Sequence, residues 1–244
     1  MLTFRIHPSA SSLDAAVART VVDALAATLR ERGSARFIAS SGRTPRGVYA
    51  LLRTVYRGAL DWSRVTVVQM DEYVGLPPHD PTSLAWSLHR QLVGPLGLGF
   101  LSLNGPHGRL ARDLDEHDGM ARGADLVLHG LGRNGHVGFN EPPSGPGHPT
   151  RCVRLAAETR SDNGLPTSVQ EGITLGLDCL LTAQATLVAA KGRTKADAVA
   201  AMVSAPASED CPASWLRGIP CEVHLDPAAG RALSSPPGVG PPPT

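Results

Sequence analysis

Apolar runs of β character alternate with amphipathic helical stretches along most of the chain, and this alternation constrains the fold more than any other feature. The strand candidates are Arg36–Ala39, Val65–Met70, Asp125–His129, Thr186–Ala190 and Glu222–Leu225. Between the chain start and the first of them, Leu13–Arg32 carries Val17, Val21, Leu25 and Leu29 at the four-residue spacing of one helix face. Pro45–Tyr56 opens with a proline at a first-turn position behind Thr44, a candidate N-cap. Ser83–Leu92, Leu110–Arg122 and Thr194–Val203 are the remaining helix candidates. Strands that alternate with helices at this spacing predict an α/β fold, a Rossmann-like three-layer α/β/α arrangement around a mainly parallel sheet. Ligands of such sheets sit beyond the C-terminal ends of the strands.

The 244 residues suffice for one well-buried core. A single domain is expected over residues 1–233, followed by a proline- and glycine-rich tail, SSPPGVGPPPT at 234–244, expected to be disordered. Basic and acidic side chains nearly cancel, 23 against 22, so no electrostatic footprint for nucleic acid or an anionic membrane is present. The first residues lack the basic and apolar segments of a signal peptide, and no stretch is apolar enough to span a bilayer. A cytoplasmic location is the expectation. Cys152, Cys179, Cys211 and Cys221 form no C-x-x-C pair, which predicts free thiols and no structural zinc.

Three loops carry residues suited to chemistry. Ser40–Pro45, SSGRTP, joins a strand to a helix. Ser41, Gly42, Arg43 and Thr44 there form either an anion cradle of amides and hydroxyls or an ordinary capped turn. Met70–Pro77, MDEYVGLP, places Asp71 and Glu72 at the end of an apolar strand. A partly desolvated carboxylate at that place has a raised pKa suited to proton abstraction, although both acids could instead cap the loop. His129–Gly147, HGLGRNGHVGFNEPPSGPG, contains G-x-G-x-x-G at Gly130, Gly132 and Gly135. A dinucleotide fingerprint requires a helix to open at these glycines, and the prolines and glycines of VGFNEPPSGPG forbid one. The loop instead presents Asn134, His136, Asn140 and Glu141, with His136 and Glu141 a candidate acid–base pair.

Taken together, MDEYVGLP and GRNGHVGFNEP make the chain resemble the glucosamine-6-phosphate deaminase/isomerase family, within a wider group that includes 6-phosphogluconolactonases and ribose-5-phosphate isomerases. The similarity runs from about Ile6 to Ala229, with weaker matches at SGRTP, Ile173–Leu177, Gly192–Val199 and Pro212–Leu216. The lactonases share the GxxGH core but lack the FNEP continuation. The resemblance implies cofactor-independent isomerisation and deamination of a 2-amino sugar, in all expectation phosphorylated, with no metal. It implies that Asp71 carries the proton between C2 and C1. It implies that His136 assists ring opening and that Glu141 pairs with His136, while an orienting role for Asn134, among the candidate catalytic residues, is open but not essential. Ser41–Thr44 and Lys195 match the phosphate site, with Glu72 and Gly135 placed among the substrate-binding residues. A lactonase-like hydrolase and a sugar-binding regulator are the alternatives, and the oligomeric state stays open, a homo-oligomer included.

The chain also departs from the family. Glu158–Val169, ETRSDNGLPTSV, is a shortened lid. A phosphate-binding arginine of relatives has no counterpart, since Gly164 and Leu165 stand nearest; Arg43 or Arg160 is the expected substitute. Ile219 stands where a histidine is common, and PPSGPGHP is atypical. Retained acid–base residues with altered recognition is the resulting expectation.

Overall fold

A computed structural model of the chain describes residues 2–77, 79–103, 114–204 and 206–233. The expected tail at 234–244 and the start of the helix expected at Leu110–Arg122 lie outside these residues. Seven parallel strands form the main sheet: β1 (Leu2–Ile6), β2 (Ala35–Ala39), β3 (Val65–Gln69), β5 (Gly99–Leu101), β6 (Leu126–Gly130), β9 (Thr186–Ala190) and β10 (Cys221–Leu225). Their order is β1-β10-β9-β6-β2-β3-β5. Three short strands, β4 (Asp71–Tyr73), β7 (Arg151–Arg154) and β8 (Glu171–Thr174), form a separate antiparallel sheet in the order β4-β8-β7.

The five expected strands are the five interior strands of the main sheet. Their side chains are buried on both faces, which is why they read as unbroken apolar runs. Phe37 and Ala39 of β2 face one layer with Val65, Val67, Leu126 and Leu128, packed against α1 (Ala10–Arg32) and α2 (Arg46–Thr54). Ile38, Val68 and Val127 face the other layer, against α5 (Leu114–Ala121) and α7 (Leu177–Leu180). Beside them Val188, Ala190, Val223 and Leu225 pack on α8 (Ala196–Ser204) and a 3-10 segment, Pro212–Gly218. Full burial of each such aliphatic side chain contributes about 1.5–3 kcal/mol. The layers are completed by α3 (Leu84–Leu88), a π-helical turn His89–Val93, α4 (Gly94–Leu96) and α6 (Ala157–Asp162).

The helix starts differ in their chemistry. Ser9 closes a capping box with Ser12 at the start of α1, three residues before the expected Leu13. Pro45, not Thr44, takes the N-cap position of α2, which has no side-chain cap. That correction leaves the start of α2 facing the loop after β2 without a side-chain acceptor.

The chain moves outward from β2 to β3 and β5, then returns to place β6 on the other side of β2. The order of the sheet therefore reverses between β2 and β6, and a crevice opens there beyond the strand ends. The loops after β2, β3, β6 and β9 meet at this crevice.

Candidate active site

A cleft of about 580 Å³ occupies the reversal point. Its lining includes Ser40–Pro45 after β2, Asp71 and Tyr73 after β3, Gly130–Arg133 and His136 after β6, and Lys191, Thr194 and Lys195 after β9. Thr159, Asp162 and Asn163, from α6 and its C-terminal end, close another wall.

The loop after β2 is held from beneath. Tyr49, one turn into α2, donates its hydroxyl to the Ser40 carbonyl at 2.7 Å. Lys191 reaches across from the end of β9, donates to the Thr44 carbonyl at 2.9 Å and pairs with Asp14 of α1. The hydroxyls of Ser40 and Ser41 are buried in the cleft wall with no protein partner. Buried hydroxyls of this kind call for a polar ligand. Ser41, Gly42, Arg43, Thr44 and Lys195 all line the cleft, where the sequence predicts an anion site. Burial lowers the pKa of Lys195, and the Arg133 and Arg43 guanidinium groups beside it lower it further, against Asp162.

Asp71 sits where the chain leaves the main sheet and enters the small one. The β4–β8 ladder fixes its backbone opposite Thr174. Asp71 is 7% exposed, and its carboxyl Oδ1 has no partner. Burial, with the Glu72 charge adding to it, pushes the pKa up to about 7. Such a group can both take and return a proton near neutral pH.

Glu72, expected among the substrate-binding residues, is used up by the protein. Its carboxylate accepts from the amides of Tyr73, Leu84 and Ala85, from Ser83 Oγ and from Gln69 Nε2. It therefore caps the start of α3 and does not line the cleft. Adjacent residues on a strand point to opposite faces, so the two acids meet different surroundings.

His136 lines the cleft and is not a solvated loop histidine. Burial and the Lys195 charge push its pKa down to about 4, so it stays neutral above that pH. Its Nδ1 meets Asn134 Oδ1 at 2.6 Å, and the same oxygen accepts the His136 amide at 3.3 Å. With an oxygen as partner, Nδ1 carries the hydrogen and Nε2 keeps its lone pair. A Cβ on Gly132 would stand 2.3 Å from the imidazole, so the ring lies directly on glycine backbone. Gly135, with φ of +80°, leaves room instead for Cys211 Sγ, which a Cβ would approach to 2.6 Å. Its amide and carbonyl serve the loop itself, bonding Gly132 and Ala213. Gly135 thus shapes the loop and is not among the residues lining the cleft, contrary to its expected place in substrate binding.

The structure does not bring Glu141 to His136. The Glu141 carboxylate accepts from the Ala156 amide at 2.7 Å and from the Thr159 hydroxyl, and so fastens the start of α6. Asn140, beside it, is buried and donates to the Val137 and Leu175 carbonyls, which ties the loop to the end of β8. Arg160 lies on α6 but not in the lining, and its Nε is buried without a partner. Of the two expected substitutes for the lid arginine, only Arg43 faces the cleft.

Arg133, Asp162, Ser40 and Tyr73 are site residues that sequence reasoning missed. Arg133 could have been found as the sole cation inside the glycine-rich loop. Asp162 has no sequence signal, because its place depends on how α6 folds back. Among the described residues, no group of three or more His, Cys, Asp or Glu side chains is placed to hold a metal. The four cysteines are unpaired. No described helix is long and apolar enough to cross a membrane.

The chain has relatives among known proteins. The chain is 39% identical to a glucosamine-6-phosphate deaminase from Streptomyces avermitilis, over 87% of each protein. It is 37% identical to a glucosamine-6-phosphate deaminase from Bacillus cereus, over 74% of this chain and 71% of that one. A solved monomeric glucosamine-6-phosphate deaminase superposes with a TM-score of 0.86 at 27% identity, covering 95% of this chain and 100% of the other. A putative 6-phosphogluconolactonase from Neisseria gonorrhoeae shares the fold, with a TM-score of 0.76 at 20% identity over 93% of this chain and 100% of its own. The family model for glucosamine-6-phosphate isomerases and 6-phosphogluconolactonase matches residues 8–223, and the chain belongs to that family.

Proposed function

We propose that the chain isomerises and deaminates a phosphorylated 2-amino-2-deoxy aldose, glucosamine 6-phosphate or a close analogue, to a ketose phosphate and ammonia. The observation that carries this reading is Asp71: a buried carboxyl with a free oxygen, titrating near neutrality, in one cleft with a neutral histidine. The deaminase relatives give the reading its substrate class.

The steps follow from these groups. His136 Nε2 takes the proton of the anomeric hydroxyl and returns it to the ring oxygen, which opens the ring. Asp71 removes the C2 proton, and the freed electron pair forms the C1–C2 double bond of an enolamine as the C1 carbonyl pair moves to O1, which takes a proton from the substrate's own ammonium group. The same carboxyl then delivers the proton to C1, leaving a C2 ketimine. Water adds to C2, and the carbinolamine expels ammonia. Atoms balance with water as the only co-reactant. Asn134 orients the imidazole, and Glu141 acts as a positioning residue through α6. Ser41–Thr44 and Lys195 bind the phosphate.

A panel of 2-amino sugars, with and without a 6-phosphate, assayed for ammonia tests the reading. Ammonia release that depends on the phosphate is the expected result. Hydrolysis of a sugar-phosphate lactone, with no ammonia from any amino sugar, would replace the reading by a hydrolase.

A further inference from the structure

Two walls of the cleft meet through one ion pair. Arg133, from the loop after β6, holds Asp162 at the end of α6, with Nη2 to Oδ1 at 2.9 Å. Both side chains line the cleft, and both remain substantially exposed. Lys195 senses Arg133, Arg43 and Asp162 together, so these four charges form one cluster. Three cations against one carboxylate leave an excess of positive charge beside the buried, unpartnered hydroxyls of Ser40 and Ser41.

We propose that Arg133 is a substrate-anion-binding residue whose guanidinium is shared between Asp162 and the phosphate of the substrate. The proposal rests on the phosphorylated-substrate reading above and adds a second guanidinium to that of Arg43. An exposed carboxylate–guanidinium pair contributes little. A phosphate offers more charge and a bidentate fit to the guanidinium fork, so it displaces the carboxylate readily. Arg133 stands on the loop after β6, outside the segment where the relatives' arginine has no counterpart, and joins Arg43 in the cleft lining. Asp162 then acts as a competitor for the anion. Substrates without the phosphate meet a cation already paired, which sets specificity for the phosphorylated sugar.

The test uses binding of inorganic phosphate by calorimetry, together with steady-state kinetics on phosphorylated and unphosphorylated amino sugars. Arg133→Gln should weaken phosphate binding about tenfold or more and raise KM for the phosphorylated sugar alone. Arg133→Lys should recover part of the loss, because charge returns without the fork. Asp162→Asn should tighten phosphate binding several-fold in the wild-type background and have no such effect beside Arg133→Gln. If the pair is only a strap between two loops, Asp162→Asn will weaken binding as Arg133→Gln does, and the proposal falls. It falls equally if Arg133→Gln leaves phosphate affinity unchanged. Phosphate affinity is read without turnover, so absence of ammonia release would overturn the activity and leave this inference standing or falling on the binding data.

Discussion

Asp71 and Glu72 are neighbours with opposite fates. Glu72 finds three backbone amides and two side-chain donors, two of the amides 12 and 13 residues ahead, at the start of α3. Asp71 finds a cleft and no donor for Oδ1. The dipeptide alone could not separate them, because the separating groups arrive only when α3 packs. Nor could the sequence pair His136 correctly: the near acid, Glu141, is taken by α6, and the near amide, Asn134, holds the ring. The unpartnered carboxyl has a thermodynamic cost that a substitution can expose. Its folded pKa, about 7, lies above its ordinary 3.8, so the folded state keeps the proton longer than the unfolded chain. Stability from this group is full below about pH 4 and declines as pH rises through 7, with a ceiling of ~4 kcal/mol. Asp71→Asn removes the ionisation. It should lower turnover by ~10²–10⁴-fold or more and raise the melting temperature at pH 8. The stability gain should shrink toward zero near pH 4. A variant with near-normal rate would remove Asp71 from the proton transfer.

At the scale of elements, the sequence resolved the strands buried on both faces and the longer amphipathic helices α1, α2 and α8. The five interior strands were visible within a residue or two. Edge strand β1, half exposed along LTFRI, and the three-residue β5 were not. The small sheet was also invisible, since β4, β7 and β8 are three or four residues each and carry Asp, Glu, Arg and Thr. Such strands pair because their neighbours are placed first, not through their own pattern. Within the segment expected as a lid, Glu158–Val169, the fastening of α6 was not legible. Glu141 grips the start of α6, which carries Thr159 and Asp162 into the cleft wall. Glu141→Ala should therefore speed amide hydrogen exchange across Ala157–Asp162 and raise KM, with the pH profile of kcat unmoved. Unchanged exchange with a displaced acid limb would mean that the carboxylate acts on His136 instead.

Over the whole molecule, the reversal of strand order between β2 and β6 decides where chemistry can occur, and it gathers residues from four loops spread between positions 40 and 195. The chain has two lysines, and both lie at this place. One is a strut: Lys191 is tied to Asp14 and the Thr44 carbonyl. The other, Lys195, is half-buried among guanidinium groups, with its pKa lowered. Lys191 is held by its ion pair with Asp14 and by the Thr44 carbonyl, whereas burial lowers the Lys195 pKa, so the two amines meet a reagent differently. An acylating reagent at limiting concentration near pH 7.5 should mark Lys195 ahead of Lys191, as peptide mapping by mass spectrometry would read, and inorganic phosphate should protect it. Equal marking of both would deny the difference. With one lysine spent as the strut that steadies the cradle, a covalent probe of this cleft has a single side-chain amine free of an ion pair with the fold to address, and labelling at Lys195 would report directly on whether the cradle is occupied.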